Sequence, residues 1–207
     1  MDWHEWHGDY DNPESRLSAR LETVQNRIRV FLDTAPPGPI RVVSACAGQG
    51  RDLNEVLAVH PRRDDVSARL VELDPRNVDF ARRAAHEAGL AKVEVVAGDA
   101  ALVESYVGAV PADLVLLCGI FGNITDADVR HTVAHTDQLC RPGATVIWTR
   151  HRGAPDLVPR ICDWFAEHEF EQLWLSEAGA GYGVGVHRYA GTAPPIQRGT
   201  RLFTFQD

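Results

Sequence analysis

Hydrophobic positions along this 207-residue chain change their period near residue 40. Before that point Leu17, Leu21, Val24, Ile28 and Phe31 recur three or four residues apart, one apolar stripe of a helix. Asn12-Pro13-Glu14-Ser15 supplies a capping residue and a first-turn proline, so the helix is predicted from there to about residue 33. Thr34-Ala35-Pro36-Pro37-Gly38-Pro39 then stops it, because successive prolines cannot continue a helix. Beyond residue 40 short apolar runs alternate with amphipathic ones. Strands are predicted over 40–47, 68–73, 93–97, 113–118, 144–149, 170–175 and 184–189. Helices are predicted over 50–59, 76–88, 126–139 and 156–168, with a short one near 101–107. Residues 202–205 form a terminal strand or simply pack.

Leu114-Val115-Leu116-Leu117 is apolar without interruption, as expected of a strand covered on both faces. The last two strands are separated by little more than a glycine turn, which favours antiparallel pairing. Together these features predict an α/β fold with a doubly wound, mostly parallel seven-stranded sheet and an antiparallel last strand. Residues 1–39 form an amino-terminal arm and helix, expected as a helical lid, and residues 40–207 the sheet domain. Ligands of such sheets bind beyond the carboxyl ends of the strands, where the strand order reverses.

Composition narrows the partners. A formal charge of −8 argues against a phosphate-binding surface, so no nucleic acid is expected. No apolar run reaches membrane-spanning length, and Met1-Asp2-Trp3-His4-Glu5 lacks the order of a signal peptide, so a cytoplasmic protein with no membrane partner is expected. Cys46, Cys118, Cys140 and Cys162 are widely spaced and read as free thiols, with no metal site.

The chemistry concentrates where strands end. Arg41-Val42-Val43-Ser44-Ala45-Cys46-Ala47-Gly48-Gln49-Gly50-Arg51-Asp52 reads as a buried strand, a glycine turn and the start of a helix. Glycines at 48 and 50 let the backbone approach a ligand closely, and the helix offers unpaired N–H groups. Some twenty residues on, Val71-Glu72-Leu73-Asp74-Pro75 places acids at the next strand end, where nucleotide folds hold a ribose. Gly98-Asp99-Ala100 ends the third strand with a carboxylate able to accept from an exocyclic amino group.

In these three loops the sequence resembles the class I S-adenosylmethionine-dependent methyltransferases of small-molecule type, over roughly residues 40–189. The resemblance implies a Rossmann-like sheet with S-adenosylmethionine as cofactor. It implies that Ser44, Cys46, Ala47, Gly48, Gly50 and Asp52 surround the methionine end. Glu72 and Leu73 would flank the ribose, Asp99 and Ala100 the adenine, and Cys118, Gly119 and Asn123 the opposite wall. Two positions depart from the family pattern: Ser44 stands where the family has an acid, and Cys46 where it has a glycine. Asp52, Asn123 or a residue of the amino-terminal arm would then have to hold the cofactor's amino group.

For the methyl acceptor, Trp148-Thr149-Arg150-His151-Arg152 follows the fifth strand. Either Arg150 and Arg152 grip an anionic acceptor with His151 as base, or the arginines are solvated and His151 covers the sheet edge. Phe121 lines the acceptor pocket or belongs to the core. The arm Trp3-His4-Glu5-Trp6-His7-Gly8-Asp9-Tyr10 carries aromatics that are costly to leave in water. It is expected to close over the pocket, with Trp6 and Tyr10 stacking on cofactor or acceptor and His7 as a second candidate base. The same tryptophans suit a contact between two copies, a homodimer. The expected activity is methyl transfer to oxygen or nitrogen of a small-molecule acceptor in specialised metabolism. The alternatives are a nicotinamide-dependent oxidoreductase and a non-catalytic S-adenosylmethionine-binding protein.

Overall fold

The computed structural model of the protein describes residues 15–206. Helix α1 (Arg16–Thr34) opens with the Ser15 hydroxyl accepting from the Ser18 amide at 3.0 Å. Its stripe buries Val24, Ile28 and Leu32. Behind the proline stop, Arg62 reaches back and donates to the carbonyls of Leu32, Ala35, Pro36 and Gly38, which serves the orphan acceptors at the helix end.

The rest alternates: β1 (Ile40–Ala45), α2 (Arg51–Val59), β2 (Val66–Glu72), α3 (Pro75–Glu87), β3 (Val93–Ala97), β4 (Ala112–Leu117), α4 (Asp126–His135), β5 (Cys140–His151), α5 (Val158–Glu167), β6 (Phe170–Leu175) and β7 (Tyr182–Tyr189). They form a seven-stranded sheet in the order β3-β2-β1-β4-β5-β7-β6. β1 to β5 run parallel, and β7 is antiparallel to both neighbours. Sequence neighbours β3 and β4 lie on opposite sides of β1, so the order reverses between β1 and β4 and a crevice opens above their ends.

Both faces of the sheet are covered. Val42, Leu70, Leu114, Leu116 and Ile147 pack under α1, α2 and α3. Val43, Val71, Val115, Val146 and Trp148 pack under α4 and α5. All six residues of β4 are buried, which is why that segment is uniformly apolar.

Most element boundaries fall within a residue or two of the sequence expectation, and three segments differ more. The helix predicted to 139 ends as α-helix at His135 and tightens into a 3-10 turn over Thr136–Leu139, a frequent way for a helix to finish. β5 begins at Cys140 rather than 144, because Arg141-Pro142-Gly143 is accommodated as an irregularity between the Ala112–Cys140 and Leu114–Thr145 pairs. The segment near 101–107 is a 3-10 turn over Val103–Tyr106. Residues 202–205 form no named strand. They are tied down by isolated bridges, Leu102 with Arg201 and Ile124 with Phe205, while Leu202 and Phe203 are buried. No helix among the described residues is long and apolar enough to cross a membrane.

Candidate active site

The β1 loop turns in left-handed conformations, with φ of 51° at Cys46, 55° at Gly48 and 69° at Gly50. Gly50 caps α2, and a Cβ there would meet Leu70 Cδ2 at 2.8 Å and Asn54 Nδ2 at 2.9 Å. That glycine is required by both backbone and space. The Gly48 amide donates to Glu72 Oε2 at 2.8 Å, and the Asp74 amide to Glu72 Oε1 at 2.9 Å. One carboxylate therefore staples the first loop to the second. It still has acceptor capacity, because a carboxylate offers about four lone-pair sites.

Asp99 closes the third strand end. Its Oδ1 accepts from the Ala101 amide at 2.9 Å, and its Oδ2 pairs with Arg201 Nη2 at 2.6 Å. Arg201 belongs to the carboxyl-terminal segment, which also donates Leu202 N–H to Ala101 O at 2.7 Å. That segment carries Phe205 to the cavity wall. After β4, the Gly119 amide donates to the buried Thr149 hydroxyl at 2.8 Å, and Asn123 Nδ2 to Gly119 O at 2.7 Å.

These loops enclose a cavity of about 580 Å³, a size ordinary for a small-molecule site. Its floor is Cys46, Ala47, Gly48, Glu72, Asp99, Ala100, Cys118 and Gly119. Asp52 and Arg51 come from α2, Leu73 to Asn77 from the start of α3, and Arg20, Leu21 and Val24 from α1 above.

Burial governs the electrostatics. Desolvation lifts the Asp52 carboxyl from 3.8 to about 6, outweighing amide hydrogen bonds from Leu53 and from Asp52 itself, and neighbouring Glu55 adds to the rise. Burial also pushes up the Cys46 thiol, reinforced by Glu72 and Asp99. The Cys118 thiol is raised by burial and by Asp52, with Arg20 opposing. Both are protonated thiols at neutral pH. Among the described residues no group of acids, histidines or cysteines has the arrangement of a metal site.

Of the residues expected around a cofactor, Cys46, Ala47, Gly48, Asp52, Glu72, Leu73, Asp99, Ala100, Cys118 and Gly119 line this cavity. Ser44, Gly50 and Asn123 do not. Ser44 is enclosed within β1, Gly50 shapes the turn, and Asn123 holds the loop after β4.

The residues assigned to the acceptor lie elsewhere. Phe121 is fully buried 5.9 Å from the Trp148 ring, in the core. Arg150 donates to Phe121 O and faces Asp126 at 3.7 Å, clamping the β4–α4 connection. Arg152 pairs with Asp156 at 2.7 Å and donates to Tyr182 O and Ser176 O. His151 is exposed at the end of β5, its Nδ1 accepting from the Gly153 amide at 3.0 Å. That bond places the neutral ring's proton on Nε2, which makes it a donor there rather than a base. Trp6, His7 and Tyr10 lie outside the described residues.

Sequence reasoning missed Leu21, Val24, Thr149 and Phe205 as cavity residues. The first two belong to the apolar stripe and read as core, and the last lies in a tail with no periodicity. Arg20 carried a usable signal, standing one turn from Arg16 and off that stripe.

No protein-family model matches the sequence, and no curated protein matches it. Solved structures do. An O-methyltransferase family protein of Burkholderia thailandensis superposes with a TM-score of 0.65 at 19% identity, over 84% of this chain and 56% of its own, so this chain spans just over half of it. The 1,6-didemethyltoxoflavin-N1-methyltransferase of the same organism, with bound 1,6-didemethyltoxoflavin and S-adenosylhomocysteine, superposes with a TM-score of 0.65 at 16% identity, over 91% and 87%. An RNA methyltransferase of Salinibacter ruber in complex with S-adenosylhomocysteine gives 0.55 at 20% identity, over 83% and 94%. At these identities the likeness is one of fold: the Rossmann-like fold of class I methyltransferases.

Proposed function

We propose that this protein is an S-adenosylmethionine-dependent methyltransferase acting on oxygen or nitrogen of a small-molecule acceptor. The observation that carries the reading is the row of polar groups along the crevice. Asp99, Glu72 and the Gly48 loop stand at the ends of β3, β2 and β1, side by side on one cavity wall. That row fits an adenosyl compound. A base with an exocyclic amino group suits Asp99, and ribose hydroxyls suit the spare lone pairs of Glu72. The amino-acid tail then falls over β1 and β4. The fold neighbours crystallised with S-adenosylhomocysteine support the same choice of cofactor.

The group bound there supplies an electrophilic methyl carbon on a sulfonium. The chain's own part is positioning and exclusion of water. α1 covers the cavity with Leu21 and Val24, and Phe205 closes one side. Thr149 and Asn123 fix the Gly119 turn, so the wall beside the tail is rigid. Among the described residues no histidine lines the cavity.

A small acceptor is favoured by the roofed cavity, by the charge of −8, and by a neighbour that acts on a small heterocycle. Calorimetric titration with S-adenosylhomocysteine and with NADH tests the cofactor, with binding expected for the first alone. Methyl-labelled cofactor offered with pooled small amines, phenols and heterocycles tests the reaction. Tight NADH binding with no S-adenosylhomocysteine binding would overturn the assignment.

A further inference from the structure

We infer that Asp52, on the first turn of α2, holds the ammonium group of the cofactor's amino-acid tail. The inference rests on the cofactor reading above and goes beyond it to one residue.

The direction of the ligand along the crevice follows from the chemistry of its walls. With the base at β3 and the sugar at β2, the tail reaches the β1 and β4 ends. Glu72, Asp74 and Asp99 are committed to the first two stations by position. Glu72 holds the Gly48 and Asp74 amides, Asp74 pairs with Arg76, and Asp99 pairs with Arg201. Among the lining residues described, Asp52 is the carboxylate left at the tail end.

Its surroundings separate it from an ordinary helix-start acid. Such acids face water and are stabilised by the helix dipole, which lowers their pKa. Asp52 is 8% exposed and lines the cavity. Its Oδ1 accepts from the Leu53 amide at 2.8 Å, and among the described residues no side chain pairs with it. A carboxylate this buried is costly without a cation, and here its pKa moves upward instead. The fold therefore bears a cost that a bound ammonium would remove.

Among the described residues, Glu55 on its own helix raises its pKa, it in turn raises that of the Cys118 thiol beyond β4, and Arg51 beside it lines the same cavity, as does Arg20 of α1. Asp52 and Arg20 act on the Cys118 thiol with opposite signs, so both face the end of the crevice where a zwitterionic tail would lie.

The test compares two ligands that differ in that tail. S-adenosylhomocysteine carries the amino acid, whereas 5′-methylthioadenosine lacks it. Calorimetry at pH 8 on the full chain is expected to show S-adenosylhomocysteine affinity falling about tenfold or more in Asp52→Asn, the loss of one charged hydrogen bond. 5′-Methylthioadenosine affinity is expected to be unchanged. Wild-type protein gives the second arm and needs no variant: between pH 8 and pH 5 the first ligand should weaken and the second should not. Equal S-adenosylhomocysteine affinity in wild type and variant overturns the inference. So does parallel weakening of both ligands, which would make Asp52 a structural residue. If wild type binds neither ligand, the cofactor reading itself fails, a different result from either.

Discussion

Replacing Asp52 with asparagine should stabilise the ligand-free protein above pH 6, and the size follows from its burial. Burial pushes the folded carboxyl up to about 6, against 3.8 for an unburied aspartate. An acid whose pKa rises on folding binds its proton more tightly in the native state. Between these two values the native state therefore holds more protons than the unfolded chain, and stability falls as pH rises. The penalty is absent below pH 4 and complete above pH 6. A rise of about two pH units corresponds to about 3 kcal/mol. Asparagine keeps an oxygen for the Leu53 amide and carries no charge to desolvate. In a protein of this size about 3 kcal/mol is worth about 6 °C or more in Tm. Thermal unfolding of ligand-free wild type and Asp52→Asn at pH 4.5, 6 and 8 reads it directly. The two should converge at low pH and separate by several degrees at pH 8. Equal separation at every pH would show that the effect is not the carboxylate's charge, and a less stable variant at pH 8 would refute the desolvation argument.

Glu72→Gln should weaken S-adenosylhomocysteine binding by about tenfold or more, because the amide cannot accept on both oxygens and the staple between the first two loops is lost; calorimetry measures it. Gly50→Ala should lower stability by about 2–4 kcal/mol, combining a strained φ with overlap onto Leu70 and Asn54, read by urea unfolding. Arg62→Ala should cost about 2–3 kcal/mol, since it removes the charged donor to four carbonyls behind α1, and urea unfolding with a reporter on α1 follows it. His151→Asn should leave S-adenosylhomocysteine affinity within about twofold, consistent with the small effects of exposed positions away from a site; a tenfold loss would return His151 to the cavity.

Where one physical signal dominated, the sequence was sufficient. The β4 run is legible because both faces of a central strand are buried, and the β1 loop because two left-handed positions leave glycine little competition. Glu72 and Asp99 follow from where strands end. Arg150, Arg152 and Phe121, expected at the acceptor, do not line the cavity, for a different reason. Position at a strand end says nothing about which way a side chain turns, and all three turn toward loops or core. The same blindness hid Thr149, the residue between Trp148 and Arg150, which lines the cavity and accepts from the Gly119 amide. α1 supplied a subtler error. A stripe that covers a sheet and then extends over a crevice looks periodic throughout, so Leu21 read as core when it lines the cavity, and Val24 belongs to the core and lines the cavity as well.

The two departures of the β1 loop make sense together. Ser44 is paired with Leu70 on one side and Leu116 on the other, inside the sheet. A carboxylate at that depth would have to reach upward to meet a ligand. Asp52 instead lines the cavity from the first turn of α2. Cys46 bears a left-handed φ that glycine would adopt without strain, a cost of about 1–2 kcal/mol for a residue with a Cβ. It lines the cavity, where Glu72 and Asp99 both raise the pKa of its thiol. Strain at Cys46 and desolvation at Asp52 are thus borne on one wall, six residues apart. Local rules broken side by side along a cavity mark the place where a ligand, rather than the fold, sets the requirement.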